Sequence, residues 1–242
     1  ISTTVLSVKN TFERRLGIWP AGFDSDGNMY CNTTFGDYPH YIPGPGFSGT
    51  TYGVNGKSGY FTGWMLLNYN KPVQVSSTLG GHLPNNAVDE LAKTYWSAAS
   101  SNRGEFIQTD LGNVSTVNAV QINYADQDVE SNRLGKWNNQ YHQYKLYYST
   151  DGKKWTVLVD KSNNITDVPH DYVELPKSVQ ARFIKLENIQ MPTGKFAISG
   201  FRVFGNGNGV KPDPVQNFIV LRTEKDKRSA FIKWKPVDNA FA

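Results

Sequence analysis

In runs between Val73 and Gly205 apolar and polar residues alternate with period two, a period that suits strands with one dry and one wet face and that a helix cannot use. Val120-Gln121-Ile122-Asn123-Tyr124 and Tyr144-Lys145-Leu146-Tyr147-Tyr148 show it most plainly. Thr150-Asp151-Gly152-Lys153 supplies a turn Asp and a Gly able to take positive φ, so a hairpin joins the strand through Leu146 to the one after Trp155. The helical candidate of note, about Ala87 to Tyr95, is short. An all-β chain with stacked sheets follows. Across Gly200 the apolar parity of Phe196 and Ile198 passes to Phe201 and Val203, which a β-bulge at Ser199-Gly200 would account for.

The 242 residues are 38% hydrophobic and 13% aromatic, enough for a sizeable core in one large domain or two small ones. The net charge of +4 is uneven: residues 211–242 hold seven Lys or Arg against four Asp or Glu, leaving eighteen against seventeen in residues 1–210. A nucleic-acid-binding domain carries a basic stripe, so the near-neutral body argues against that class of partner. No apolar run approaches the roughly 20 residues of a membrane span, and Ile1 to Asn10 has neither the charge pattern nor the length of a secretory leader. The single Cys31 excludes an internal disulfide framework, and Met29-Tyr30-Cys31-Asn32-Thr33 reads as an ordinary strand around a small buried hydrophobe.

Ordered blocks run through the alternating region: Asn86-Ala87-Val88-Asp89, Thr94-Tyr95-Trp96-Ser97-Ala98, Phe106-Ile107-Gln108-Thr109-Asp110-Leu111-Gly112, Tyr144 to Trp155, Arg182-Phe183-Ile184-Lys185-Leu186 and Phe201-Arg202-Val203-Phe204-Gly205. In this order and spacing they resemble a discoidin domain, also termed coagulation factor 5/8 type C, the fold of family 32 carbohydrate-binding modules. The resemblance implies a jelly-roll-like β-sandwich that holds a ligand. Trp96 and Trp155 stand on scaffold blocks and are expected in the core.

The flanks differ. Phe12 to Pro20, Phe23 to Tyr30 and Asn32 to Pro39 resemble the last blade of the five-bladed propeller of glycoside hydrolase family 43, with Ser25-Asp26-Gly27-Asn28 as a hairpin turn. Ile42 to Gly59 is rich in Gly, Pro, Ser and Thr and reads as a linker or surface loop. Beyond the turn-rich Gly205-Asn206-Gly207-Asn208-Gly209, two alternating runs, Val215 to Arg222 and Ser229 to Lys235, resemble the opening strands of a fibronectin type III domain, an Ig-like sandwich of about seven strands, with Trp234 at the core tryptophan position. The expected organisation is therefore a partial blade and linker over 1–62, a discoidin-like sandwich over 63–206 and an incomplete fibronectin type III-like segment over 211–242.

A glycosidase needs two carboxylates facing one bond. Asp24, Asp26 and Asp37 read as solvated turn and loop acids, and in family 43 the catalytic acids come from blades that precede this segment. No catalytic residue is assigned, and the chain is expected to be inactive alone. In discoidin-like modules the ligand site is built from loops at one end of the sandwich, which correspond to Gly80 to Asn85 and the long insertion Ala125 to His142. The expected ligand residues are His82, Asp126, Asp128, Arg133, Trp137, Tyr141 and His142: an aromatic face for the C–H surface of a sugar and planar polar groups for its hydroxyls. Trp137 is the expected stacking residue. Family 32 modules often carry a structural Ca²⁺ near the Asn-Ala-Val-Asp block, and Asp89 and Thr94 match two of its ligand positions. Glu90, Leu91 and Gly200 depart from the pattern and argue against the ion, so no cofactor is required.

The reading that follows is a carbohydrate-binding accessory region of a multimodular hydrolase of plant cell-wall polysaccharide, of arabinosidase or xylosidase type, acting as a secreted, periplasmic or cell-surface protein. Its partners are a complex polysaccharide and the rest of the parent enzyme. Two alternatives stay open: a glycosidase active only when completed by the missing propeller, and a discoidin-type adhesion or interaction module.

Overall fold

The computed structural model describes residues 21–23, 26–31, 38–39, 62–91, 93–129, 141–209, 213–222 and 229–237. The chain divides into two compact units, residues 1–207 and 208–242.

The first unit begins with an antiparallel hairpin of β1 (Ala21–Phe23) and β2 (Met29–Cys31), with Gly22 opposite Tyr30 and Gly27 at φ +81° in the turn. Most of the remaining blade-like segment, and the linker from Ile42 to Gly59, lie outside the described residues. Then come β3 (Met65–Leu66), β4 (Val73–Val75), a short 3₁₀ turn (Pro84–Ala87), β5 (Trp96–Ser97), β6 (Phe106–Tyr124), β7 (Gln143–Ser149), β8 (Thr156–Asp160), β9 (His170–Gln190) and β10 (Ala197–Asn206). Their hydrogen bonds run in the order β3-β10-β6-β9-β7-β8, with β4 added to β6 and β5 to β10. All the pairings are antiparallel.

Two long strands turn this ladder into a sandwich. The first part of β6, Phe106 to Asp110, pairs with β4 and with Phe183–Glu187 of β9. After register shifts between Asp110 and Ser115 and between Val117 and Ala119, the rest pairs with β10 and with the early part of β9. Such bulges bend a strand from one sheet into the other. Gly112, at φ +88°, sits in the bend. Arg182 clamps it, donating from Nε and Nη2 to the two oxygens of Asp110 at 2.8 Å each, while the Gly112 N–H donates to Oδ1 at 2.8 Å. The Arg182 hydrogen bonds, against the opposing effect of burial, hold the Asp110 carboxyl below its usual value.

Alternate residues of these strands face inward, as the period required. Ile107, Val120, Ile122, Leu146, Ile184, Leu186, Phe201 and Val203 are buried, each contributing about 1.5–3 kcal/mol of apolar burial. Trp96 is fully buried, edge-on to Phe196 with ring centroids 5.6 Å apart, and its indole N–H donates to the Ser77 carbonyl at 3.2 Å. The expected bulge is present: Ile198 faces Tyr124 and Gly200 faces Asn123, leaving Ser199 as the extra residue. A Cβ at Gly200 would meet Asn123 Nδ2 at 2.6 Å. The β7–β8 hairpin is also as expected, with Gly152 at φ +71° and Asp151 Oδ1 accepting the backbone N–H groups of Lys153 and Lys154 at 2.8 Å each. Those bonds hold the Asp151 carboxyl down at about 2.

Two expectations are corrected. Ala87 to Tyr95 is not a helix: Asp89 Oδ1 accepts the Leu91 N–H at 2.9 Å and Glu90 adopts φ +59°, a local side-chain bond that competes with helical pairing. Trp155 is half-buried outside the core, with the Lys185 ammonium 4.9 Å from its ring centroid. Among the described residues no helix is long and apolar enough to cross a membrane.

The second unit holds a separate hairpin of β11 (Ile219–Arg222) and β12 (Ala230–Lys233), with Val220 opposite Ile232. Every residue of both strands is exposed.

Candidate functional site

The pairings fix which loops meet. Asn123 at the end of β6 faces His170 at the start of β9, and Tyr124 faces Ile198 at the start of β10, whose Ala197 in turn faces Ser97 of β5. Loops leaving these ends therefore gather on one side of the sandwich: the residues after Ser97, those after Tyr124 and those before His170 and Ala197, and Tyr95, just before β5, reaches them through its side chain.

On this side a row of polar side chains is joined end to end. The His82 ring stacks on Tyr95, centroids 4.3 Å apart and planes 28° apart. The Tyr95 hydroxyl donates to Gln127 Oε1 at 2.6 Å, and Gln127 Nε2 donates to Asp128 Oδ1 at 2.7 Å. Lys195 Nζ closes the row, donating to Asp128 Oδ2 at 2.7 Å. Backbone contacts hold the turn that presents it. Ala125 N–H donates to the Ala197 carbonyl and Lys195 N–H to the Gln127 carbonyl, both at 2.9 Å. Asp128 takes φ +52°. Gly194, at φ +75°, lies so close that a Cβ there would come within 2.3 Å of the Gln127 carbonyl oxygen; only glycine admits this approach.

The row is charged but balanced. Hydrogen bonds from Lys195 and then Gln127 hold the Asp128 carboxyl below its usual value, so it is an anion beside an ammonium. Burial first and the Asp128 charge second push the Tyr95 hydroxyl up, keeping it a neutral donor. A ligand meets carboxylate lone pairs, amide and ammonium N–H groups and an aromatic edge with no net charge, an arrangement able to exchange hydrogen bonds with a polyhydroxylated molecule.

Of the sequence-predicted residues, the structure brings His82 and Asp128 into this row. Asp126 is half-buried in the same turn, its carbonyl accepting the Val129 N–H at 3.5 Å, and Tyr141 is half-buried at the far end of the insertion. His142 lies in the interior, 3% exposed and flat against Tyr124 with centroids 3.7 Å apart, so it is not on the surface row. Arg133 and Trp137 lie outside the described residues. Sequence reasoning missed Tyr95, Gln127 and Lys195. Tyr95 stands in a block of the sandwich framework; Gln127 sits between Asp126 and Asp128; Lys195 is joined to the site only by tertiary approach.

Asp89 and Thr94 meet each other. The Thr94 hydroxyl donates to Asp89 Oδ2 at 2.7 Å, and the other carboxylate oxygen accepts the Leu91 N–H. The adjacent Glu90 carboxylate turns to Arg202, with Nε at 3.0 Å from both of its oxygens. Ca²⁺ takes about 6–8 oxygen ligands, and among the described residues no group of three or more His, Cys, Asp or Glu could hold a metal ion. These residues do not fit a calcium cage.

A family model described as the F5/8 type C domain matches residues 72–200, more than half of the chain. No curated protein sequence matches. Among solved structures, chitosan-binding module 1 from a chitosanase/glucanase of Paenibacillus sp. IK-5 is 21% identical, with a TM-score of 0.49 over 58% of this chain and 99% of that one. Chitosan-binding module 2 of the same enzyme, in complex with chitotriose, is 23% identical, with a TM-score of 0.48 over 57% and 99%. The family 32 carbohydrate-binding module of Clostridium perfringens NanJ, in complex with galactose, is 18% identical, with a TM-score of 0.45 over 56% and 93%.

Proposed function

The chain belongs to the F5/8 type C domain family, and from that premise we propose that it is a carbohydrate-binding region, itself non-catalytic, of a larger secreted glycoside hydrolase of family 43 arabinosidase or xylosidase type. In this reading residues 63–206 are the binding module, residues 1–62 belong to the hydrolase propeller and residues 211–242 open a fibronectin type III-like domain. The ligand is a neutral plant cell-wall glycan.

The observation that carries the reading is the row from His82 through Tyr95, Gln127 and Asp128 to Lys195. Its groups are set before any ligand arrives, so little ordering entropy opposes binding. Its charges cancel, so it favours uncharged hydroxyls over a uronate or an amine. The aromatic face that such a site needs is assigned to Trp137, on the insertion from Ala125 to His142 whose first residues form this turn. Shallow sugar sites bury little apolar surface, so one aromatic platform carries much of the affinity.

Calorimetry of the 242-residue chain with neutral arabinan and xylan oligosaccharides tests this. Binding should be weak and change little between low and high salt, Trp137→Ala should abolish it, and Asp128→Asn should weaken it several-fold, with circular dichroism unchanged in both. Wild-type affinity in Trp137→Ala would place the site elsewhere. A second reading, adhesion to an apolar partner, is favoured by the loop residues Leu83, next to His82, and Ile165, which are 62% and 78% exposed. Flotation of the chain with neutral lipid vesicles, lost in Leu83→Ser, would select it.

A further inference from the structure

We propose that the guanidinium of Arg202 is the cation around which the Asp89–Thr94 loop is built, so that this loop holds its shape without a metal. The proposal does not depend on the ligand reading.

Arg202 projects from β10 and is only 9% exposed. Its Nε lies 3.0 Å from both Glu90 oxygens, Nη2 donates to Oε2, and Nη1 donates to Gln121 Oε1 at 3.1 Å. The planar group also lies over two rings, with Cζ 5.4 Å from the Phe204 centroid and 5.9 Å from that of Tyr38. Fork geometry, full-time charge and ring stacking are what distinguish Arg from Lys. A compact metal ion would use none of the rings.

Glu90 takes φ +59°, a left-handed conformation that disfavours a non-glycine residue and persists only where its surroundings impose it. The Arg202 fork does so. The neighbouring Asp89 carboxylate is engaged within the loop by Leu91 and Thr94. No acid reaches back from β10 at Gly200, since even a Cβ there would strike Asn123. A divalent ion would also have to sit beside the fixed positive charge of Arg202. The same guanidinium ties in a remote segment: the Tyr38 ring beneath it packs edge-on against Phe204 at 5.6 Å, and the next residue, Pro39, accepts the Thr62 hydroxyl at 2.9 Å. One organic cation thus joins the loop, β10 and residues 38–39.

Thermal melts of the full chain in EDTA and in calcium, with a double-mutant cycle, test this. The wild-type melting temperature should be the same in both. Arg202→Met should lower it by about 5–10 °C and Glu90→Gln by about 3 °C, and the double variant should melt no lower than Arg202→Met. A wild-type melt that falls in EDTA or rises in calcium overturns the proposal, as do additive single effects. Should Arg202→Met fail to fold, the partly exposed Glu90→Gln decides alone: a lowered melt insensitive to EDTA supports the Arg202 pin, and an unchanged melt overturns it.

Discussion

Phe201-Arg202-Val203-Phe204 and Phe231-Ile232-Lys233-Trp234 each hold two aromatic, one aliphatic and one basic side chain, with the middle two in opposite order, and both lie on or beside strands. In β10 they are buried, Phe201 and Val203 at 0% exposure. In the β11–β12 ribbon they are exposed, Phe231 at 68% and Trp234 at 51%. Alternation makes a strand in both places, but burial comes from a second layer, and a two-stranded ribbon has none of its own. The sandwich is where sequence chemistry becomes stability.

The comparison breaks most sharply on one pair of substitutions. Phe201→Ala should cost about 3–5 kcal/mol by opening a cavity under β10, whereas Phe231→Ala should leave the sandwich within about 0.5 kcal/mol of wild type; urea melts followed by near-ultraviolet circular dichroism read both. If the two cost the same, the ribbon is as much a core as the sandwich.

A smaller effect separates two glycines. Gly194→Ala must move the Gln127 carbonyl from a position 2.3 Å from the new methyl, in a backbone conformation at φ +75° that disfavours alanine, and should cost about 2–3 kcal/mol. Gly209, with nothing within 4 Å of a built Cβ, should accept alanine without effect. Proteolysis of the 125–129 turn should accelerate only in Gly194→Ala.

The smallest effect is in acid. Burial pushes the Glu105 carboxyl up, but hydrogen bonds from Ser100, Ser76 and Ser77 outweigh it and hold the group below its ordinary 4.5. The folded value lies below the unfolded one, so the stabilisation is fully present above about pH 4.5 and is lost as pH falls through the folded value. The sandwich melt should therefore stay flat from pH 7 to 5 and fall below pH 4.5, more steeply in wild type than in Glu105→Gln. Equal slopes would remove Glu105 from the acid response.

The fold was legible where periodicity and turn chemistry agree. The parity change across Gly200 announced the bulge, and Thr150-Asp151-Gly152-Lys153 announced its hairpin. The helix expected at Ala87 to Tyr95 failed because a single Asp side chain caps the backbone locally and Glu90 is drawn out of helical geometry by Arg202, a partner 112 residues away. The site divides the same way. That His82 and Asp128 lie on one polar row could be anticipated because loop length and polar composition are local properties. Tyr95, Gln127 and Lys195 could not, since their roles come from the approach of Gly194 to the Gln127 carbonyl. His142 misled for the converse reason: nothing near it in sequence shows that Tyr124 takes its ring inside.

The two long strands shared by both sheets also set an order of events at synthesis. Phe106 of β6 pairs with Glu187 of β9 and Asn123 with His170, so the earliest long strand to leave the ribosome, met until then only by the short β4 at Ile107 to Thr109, waits for β9 across roughly fifty to eighty further residues. At about 5–20 residues per second that is roughly 2–16 s with most of a nineteen-residue, apolar-faced strand unpaired. A nascent chain of this kind is most vulnerable to aggregation after β6 has emerged and before β9 has, and slower translation between Tyr124 and His170 would lengthen that interval.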